Sequence, residues 1–339
     1  MKKIADYIKP IKIGDFISKG NLIMAPMAGY TDLPYRLVLE NFGADITYTE
    51  MVNVKGICRN DPKTLKLLDT RGQKKPVAAQ IFGKEPEYIS EAAKIIEAEG
   101  RFSFIDINMG CPVPKVVKNG EGSSLMLDET LAAKITQAAA NAVKLPITVK
   151  IRKGWDKAHA NAPEFAKTLE NAGAKLITVH GRTRSEFFAG EADKAIIQKT
   201  AESVNIPVVA NGGIKSVSDA YDMFDKTNCA GIMLARGAVG NPVLFTELKT
   251  GDVLDKYQKD MLKIDTLIKH YELSLDIIGE KLTVLNMRKH MSAYLKSMPN
   301  SSRIKQYINL QFDIKAIINT LEEYKKELET YKEFGGIYE

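Results

Sequence analysis

At 339 residues, 45% hydrophobic and 27% charged with a formal net charge of +6, the chain has the composition of an ordinary folded protein, long enough for a large domain and a smaller appendage. No apolar run approaches the roughly 18 residues of a membrane crossing, and the charged start Met1-Lys2-Lys3-Ile4-Ala5-Asp6 lacks the apolar core of a signal peptide. Three cysteines, Cys58, Cys111 and Cys229, make neither a disulfide framework nor a metal-ligand cluster, so the expectation is a cytoplasmic protein without structural zinc.

Short apolar runs at 21–25, 45–49, 77–82, 104–107, 147–151, 176–180, 208–211 and 231–234 read as strands. Continuous runs such as Ile147-Thr148-Val149 suit a parallel sheet covered on both faces. Helical patterns alternate with them at 34–41, 86–99, 129–143, 162–172, 193–203 and 217–224, leaving the 53–75 connection unassigned. Eight strands alternating with helical patterns predict a (β/α)₈ TIM barrel over residues 1–250. A doubly wound sheet is the alternative, but no G-x-G-x-x-G follows the first strand. Helices at 257–278, 281–297, 302–310 and 313–331 then predict a small all-helical domain over 251–339. Ser301 or Ser302 is expected to cap the third of them.

Barrels keep their chemistry at the C-terminal ends of their strands. Strand one ends in Ala25-Pro26-Met27-Ala28-Gly29, whose small residues admit a flat ligand. Strand three offers Gln80, strand four Asn108 and Cys111, and strand five Lys150 and Arg152. Strand six offers His180, strand seven Asn211-Gly212-Gly213, and strand eight Ala235-Arg236-Gly237. Glycine turns after the last two strands are a common phosphate site, to which Arg236 adds a bidentate cation. One phosphate, a flat ring and cations across the mouth suit flavin mononucleotide (FMN). The plainer readings are tight turns, a packed thiol and a satisfied interior histidine.

Four segments in order carry a resemblance. They are Met24 to Asp32, Asn108-Met109-Gly110-Cys111-Pro112, His180-Gly181-Arg182-Thr183-Arg184 and Asn211-Gly212-Gly213-Ile214. Together they resemble the tRNA-dihydrouridine synthases, most closely the bacterial B-type branch. The resemblance continues through Pro114 to Gly120 and, more weakly, through Met287-Arg288-Lys289-His290. It implies an FMN enzyme that reduces the C5=C6 bond of particular uridines in tRNA with NADPH. In that reading Pro26, Met27, Ala28, Gln80, Lys150, His180, Asn211, Gly213 and Arg236 line FMN, with Gly212 and Ala235 in the phosphate turns. Asn108 and Arg152 hold the uracil edge, and Cys111 protonates C5. Two departures stand out: Ala235 where glycine is expected, and Ser123-Ser124 in place of a more apolar pair.

Residues 251–339 hold 14 basic and 14 acidic residues, yet Lys281 to Lys315 carries seven cations against Asp313 alone. Arg288, Lys289 and Lys296 in that block are the expected tRNA contacts. No obligate protein partner is expected. Rival readings are an FMN barrel acting on a free pyrimidine such as dihydroorotate, and a catalytically silent RNA-binding protein.

Overall fold

The computed structural model describes residues 4–74 and 76–333. Residues 1–3 of the charged start, Lys75 at the end of the unassigned connection and the acidic Glu339 of the tail lie outside them.

Eight parallel strands form a barrel: β1 (Leu22–Met24), β2 (Thr47–Tyr48), β3 (Val77–Phe82), β4 (Phe104–Met109), β5 (Ile147–Arg152), β6 (Leu176–His180), β7 (Val208–Asn211) and β8 (Gly231–Leu234). From β2 to β8 each pairs with its neighbour in sequence, and β8 returns to β1 through Ile232–Leu22, Met233–Ile23 and Leu234–Met24. Between β1 and β2 the ring closes on a single bridge, Ile23 with Ile46. An added pair, Val52–Asn53, continues alongside the end of β3.

The two-residue period of a strand decides what each side chain meets. In β4, Ile105, Ile107 and Met109 pack outward against the helical shell. Phe104 joins the barrel interior with Tyr48, Ala78, Leu176, Val209 and Met233. Asp106 and Asn108 continue the inward line. Ile11 and Ile13, from an N-terminal hairpin (Lys12–Ile13 with Phe16–Ile17), belong to the same interior cluster.

The covering helices are α1 (Leu33–Asn41), α2 (Pro86–Ala98), α3 (Glu129–Ala142), α4 (Ala162–Asn171), α5 (Lys194–Ser203), α6 (Val217–Thr227) and α7 (Val243–Thr250). Asp32, Asp128, Asp193 and Ser216 cap α1, α3, α5 and α6 by accepting backbone N–H groups that have no helical partner. The 53–75 connection contains two short helices, Val54–Cys58 and Pro62–Leu65. Both are too brief to show a helical period.

Four helices follow: α8 (Lys256–Ile278), α9 (Glu280–Tyr294), α10 (Ser301–Leu310) and α11 (Ile314–Glu333). They share a core of their own, including Val284, Met287, Met291, Leu295 and Tyr324. One side of α9 is therefore buried against the other helices. Asn300, in left-handed backbone, precedes α10, and Ser301 is its first residue, so neither serine takes the capping position. Helix α8 packs on α1, which joins this helical part to the barrel. Among the described residues, no helix is long and apolar enough to cross a membrane.

Candidate active site

A cavity of about 770 Å³ opens at the C-terminal ends of the strands. Strand register builds its wall. Asn108 lies beside Lys150, Arg152 beside His180, and His180 beside Asn211, so four adjacent strands deliver an arc of polar side chains. One layer lower, Asp106 sits between Gln80 and Thr148 in register and bonds both, at 2.7 and 2.6 Å.

Cys111 is held by its backbone from both sides. The Asn108 side-chain carbonyl accepts the N–H groups of Gly110 and Cys111 at 3.1 and 2.9 Å. The Cys111 carbonyl accepts both the Ser123 amide and the Ser123 hydroxyl, at 3.1 and 2.9 Å. The serine pair that departs from the family pattern thus has a place here: Ser123 fixes the thiol loop, and Ser124 bonds the Glu121 carbonyl. Burial pushes the Cys111 thiol above its ordinary pKa, against an opposing pull from a backbone bond and the Arg152 and Lys150 charges. The thiol is protonated at neutral pH.

Lys150 points its ammonium at the Asn211 side-chain oxygen, 3.1 Å away. Burial and the Arg152 charge push its pKa down to about 8, against attraction from Asp106 and Cys111. Asn211 is oriented in turn by donating to the Met233 carbonyl at 2.7 Å. Burial and the cations Lys150, Arg152, Arg182 and Arg236 drive the His180 pKa well down, so the imidazole is neutral. Gly212 and Gly213 have φ of +122° and +79°, a region that side chains avoid. A Cβ on Gly213 would meet nothing within 4 Å, so this turn lines the cavity with bare backbone. A Cβ on Gly237 would collide with the Ile214 carbonyl, which shows how tightly the two glycine turns pack together.

Arg152 staples two loops. Its Nε donates to the Gly110 carbonyl at 2.8 Å, and one terminal nitrogen donates to the Thr183 and Phe187 carbonyls at 2.8 and 2.7 Å. Phe188 reaches the cavity beneath two guanidinium groups, with Arg152 5.5 Å and Arg236 4.9 Å from its ring centroid. Half of its surface is exposed, which sets it apart from a core aromatic.

A sequence model of the dihydrouridine synthase family matches residues 23–329. The chain belongs to that family. It is 42% identical over 329 residues to a protein of Rickettsia conorii named probable tRNA-dihydrouridine synthase, covering 95% of this chain and 98% of that one. It is 38% identical over 303 residues to tRNA-dihydrouridine synthase B of Xanthomonas axonopodis pv. citri, covering 88% and 91%. The fold is similar to that of histamine dehydrogenase from Rhizobium sp. 4-9, with a TM-score of 0.63 at 12% identity over 97% of this chain and 65% of that one.

Within this family member the expected site residues divide into three groups. Pro26, Met27, Ala28, Asn108, Cys111, Lys150, Arg152, His180, Asn211, Gly212, Gly213, Ala235 and Arg236 all line the cavity. Gln80 is outside the lining. It is fully buried one layer down, where it donates to Asp106 and accepts from Asn108 at 2.9 Å, so it braces the site from below. The register at β3 stops its side chain short of the mouth. Of the three C-terminal cations, Lys289 reaches the barrel, 5.1 Å from the Tyr30 ring centroid and close above Gly29. Arg288 instead lies over Phe312, and Lys296 is exposed just beyond the end of α9. The basic block is therefore spread over separate surfaces.

Asp106 and Arg182 are additional members. The sequence signal for Asp106 is a carboxylate inside the apolar run Ile105-Asp106-Ile107, where an unpaired charge is costly. Arg182 ties the β6 loop together through the Ala189 and Gly190 carbonyls and contacts His180 Nε2 at 3.3 Å.

Proposed function

We propose that the chain is an FMN-dependent enzyme that reduces the C5=C6 bond of specific uridines in tRNA to 5,6-dihydrouridine, with NADPH as electron source and the cytoplasm as its compartment. One observation carries this reading. A thiol kept protonated by burial shares one cavity with a lysine, a neutral histidine and two glycine turns flanked by an arginine.

The residues fit the cofactor. Gly212, Gly213 and exposed Arg236 suit a phosphate, small Ala28 suits a flat ring, and Lys150 suits the pole where charge accumulates on reduction. FMN, when bound, supplies the hydride that C6 of the base receives.

The chain's own groups account for the remainder. The Cys111 thiol donates its proton to C5, completing net addition of one hydride and one proton across the double bond. The thiolate left behind is stabilised by Arg152 and Lys150, the two charges that already pull its pKa down. Asn108 and Arg152, at the thiol loop, are suited to the uracil edge and to negative charge developing on its oxygens. Phe188 offers a stacking face for a base swung out of folded RNA. Lys289, Arg288 and Lys296 supply phosphate contacts from the helical part.

Purified protein reconstituted with FMN should be yellow and should form dihydrouridine in unmodified tRNA when given NADPH. Protein that stays colourless and leaves tRNA unmodified would overturn the reading. Turnover of free dihydroorotate with no action on tRNA would favour the rival FMN barrel.

A further inference from the structure

Away from the cavity, three elements bring together a group of donors that the proposed reaction does not use. His270 on α8 and His290 on α9 are both 0% exposed, and none of their four ring nitrogens has a hydrogen-bond partner. Their rings lie 4.7 Å apart at 70°. Asp32, the α1 cap, is the third member, and one ligand atom from each residue lies within 4.8 Å of the others. Tyr35 stacks on His270 and Tyr30 meets His290 edge-on, which closes the surroundings to bulk water.

Buried imidazole nitrogens without partners are rare in folded proteins, since each forfeits a hydrogen bond to water. A neutral imidazole is the metal-binding form. Asp32 spends one oxygen on the Tyr35 amide and keeps capacity for another interaction. Two nitrogens and one carboxylate oxygen are a donor set that zinc accepts.

We propose that Asp32, His270 and His290 form a Zn²⁺ site that clips helices α8 and α9 to the loop after β1. The ligand atoms need to close by about an ångström to reach zinc bonds of roughly 2.0–2.2 Å, and a water molecule completes the tetrahedron. A redox-silent ion suits a structural clip beside a reducing enzyme. Tyr30, which touches His290, also lines the cavity and carries Lys289 above it. Metal binding therefore fixes the rim of the mouth as well as the joint. The cysteine count gives no hint of this, because the ligands lie far apart in sequence on separate elements.

The test uses untagged full-length protein, stripped with a chelator and titrated with Zn²⁺ or Co²⁺. The expected results are one equivalent of zinc by elemental analysis, a raised Tm, and the visible absorption of tetrahedral Co²⁺ at one equivalent. H270Q and H290Q should lose the cobalt band. D32N keeps an oxygen for the helix cap and should bind at least tenfold more weakly. Wild-type protein with no cobalt band and no zinc-dependent Tm would overturn the proposal. So would a band that persists undiminished in D32N and in either histidine variant that folds.

Discussion

The Asn108 side-chain oxygen accepts the Cys111 amide at 2.9 Å, so the residue proposed to read the base also sets the position of the proposed acid. Asn108→Ala removes this acceptor and the bond to Gln80 together. Turnover should fall about 10²-fold, the scale of losing orientation at a reacting group. FMN absorbance should persist, because the glycine turns are untouched. Asn108→Asp keeps the acceptor and adds negative charge near the thiol, so it should recover part of the loop order while raising the Cys111 pKa. Stopped-flow oxidation of reduced enzyme by tRNA measures both; wild-type rates in Asn108→Ala would remove the positioning role.

Cys111→Ala should lower dihydrouridine formation by about 10²–10⁴-fold, the usual contribution of a positioned proton donor. Reduction of bound FMN by NADPH should be unchanged, because that half-reaction does not need the thiol. Measuring the two half-reactions separately distinguishes an acid from a packing residue.

Lys150 predicts a pH dependence with a definite sign. Its folded pKa of about 8 lies below its unfolded value, so the folded state holds fewer protons between them. The cost of burying the charged form is fully present below pH 8 and is relieved as pH rises toward the unfolded pKa. Lys150→Met should therefore raise the Tm of FMN-free protein at pH 7, and the advantage over wild type should shrink above pH 8. The same variant should bind FMN more weakly. A Tm difference that does not change with pH would sink the assignment.

Arg152→Lys is a severe change despite keeping the charge, because the planar fork bonds three carbonyls at once. The 183–190 segment should become sensitive to limited proteolysis. Equal digestion of variant and wild type would show that the loop holds itself.

Binding of tRNA should weaken on replacing Arg288, Lys289 and Lys296 with alanine. The slope of log K against log salt should flatten by about 0.9 for each phosphate that is no longer neutralised. Lys289→Ala alone should also disturb the cavity rim, because Lys289 sits over Tyr30. Unchanged slopes would return these cations to solvent.

Much of the barrel is legible in the sequence because buried parallel strands are written as uninterrupted apolar runs bounded by Gly, Pro or Asn. Ile147-Thr148-Val149 and Val208-Val209-Ala210 show this plainly. The mouth follows, since strand ends converge wherever the strands close. Depth along a strand does not follow: Gln80 and Asn108 look equivalent in sequence, and only the register between β3 and β4 sets one below the other. Nor does the meeting of His270 with His290, which depends on how α8 packs against both α9 and α1. Helix α7, Val243–Thr250, is not among the expected helices: eight residues give little more than two turns in which a period can show.

The alternation along β4 makes that strand a ruler of fixed length. Phe104 fills the barrel interior, Asp106 anchors the polar layer and Asn108 carries the loop that holds Cys111. Inserting one residue between Phe104 and Asn108 would exchange inward and outward faces beyond that point, sending a carboxylate or an amide into the helical shell and a hydrocarbon into the mouth. Length variation is therefore barred from these few residues and confined to the connections.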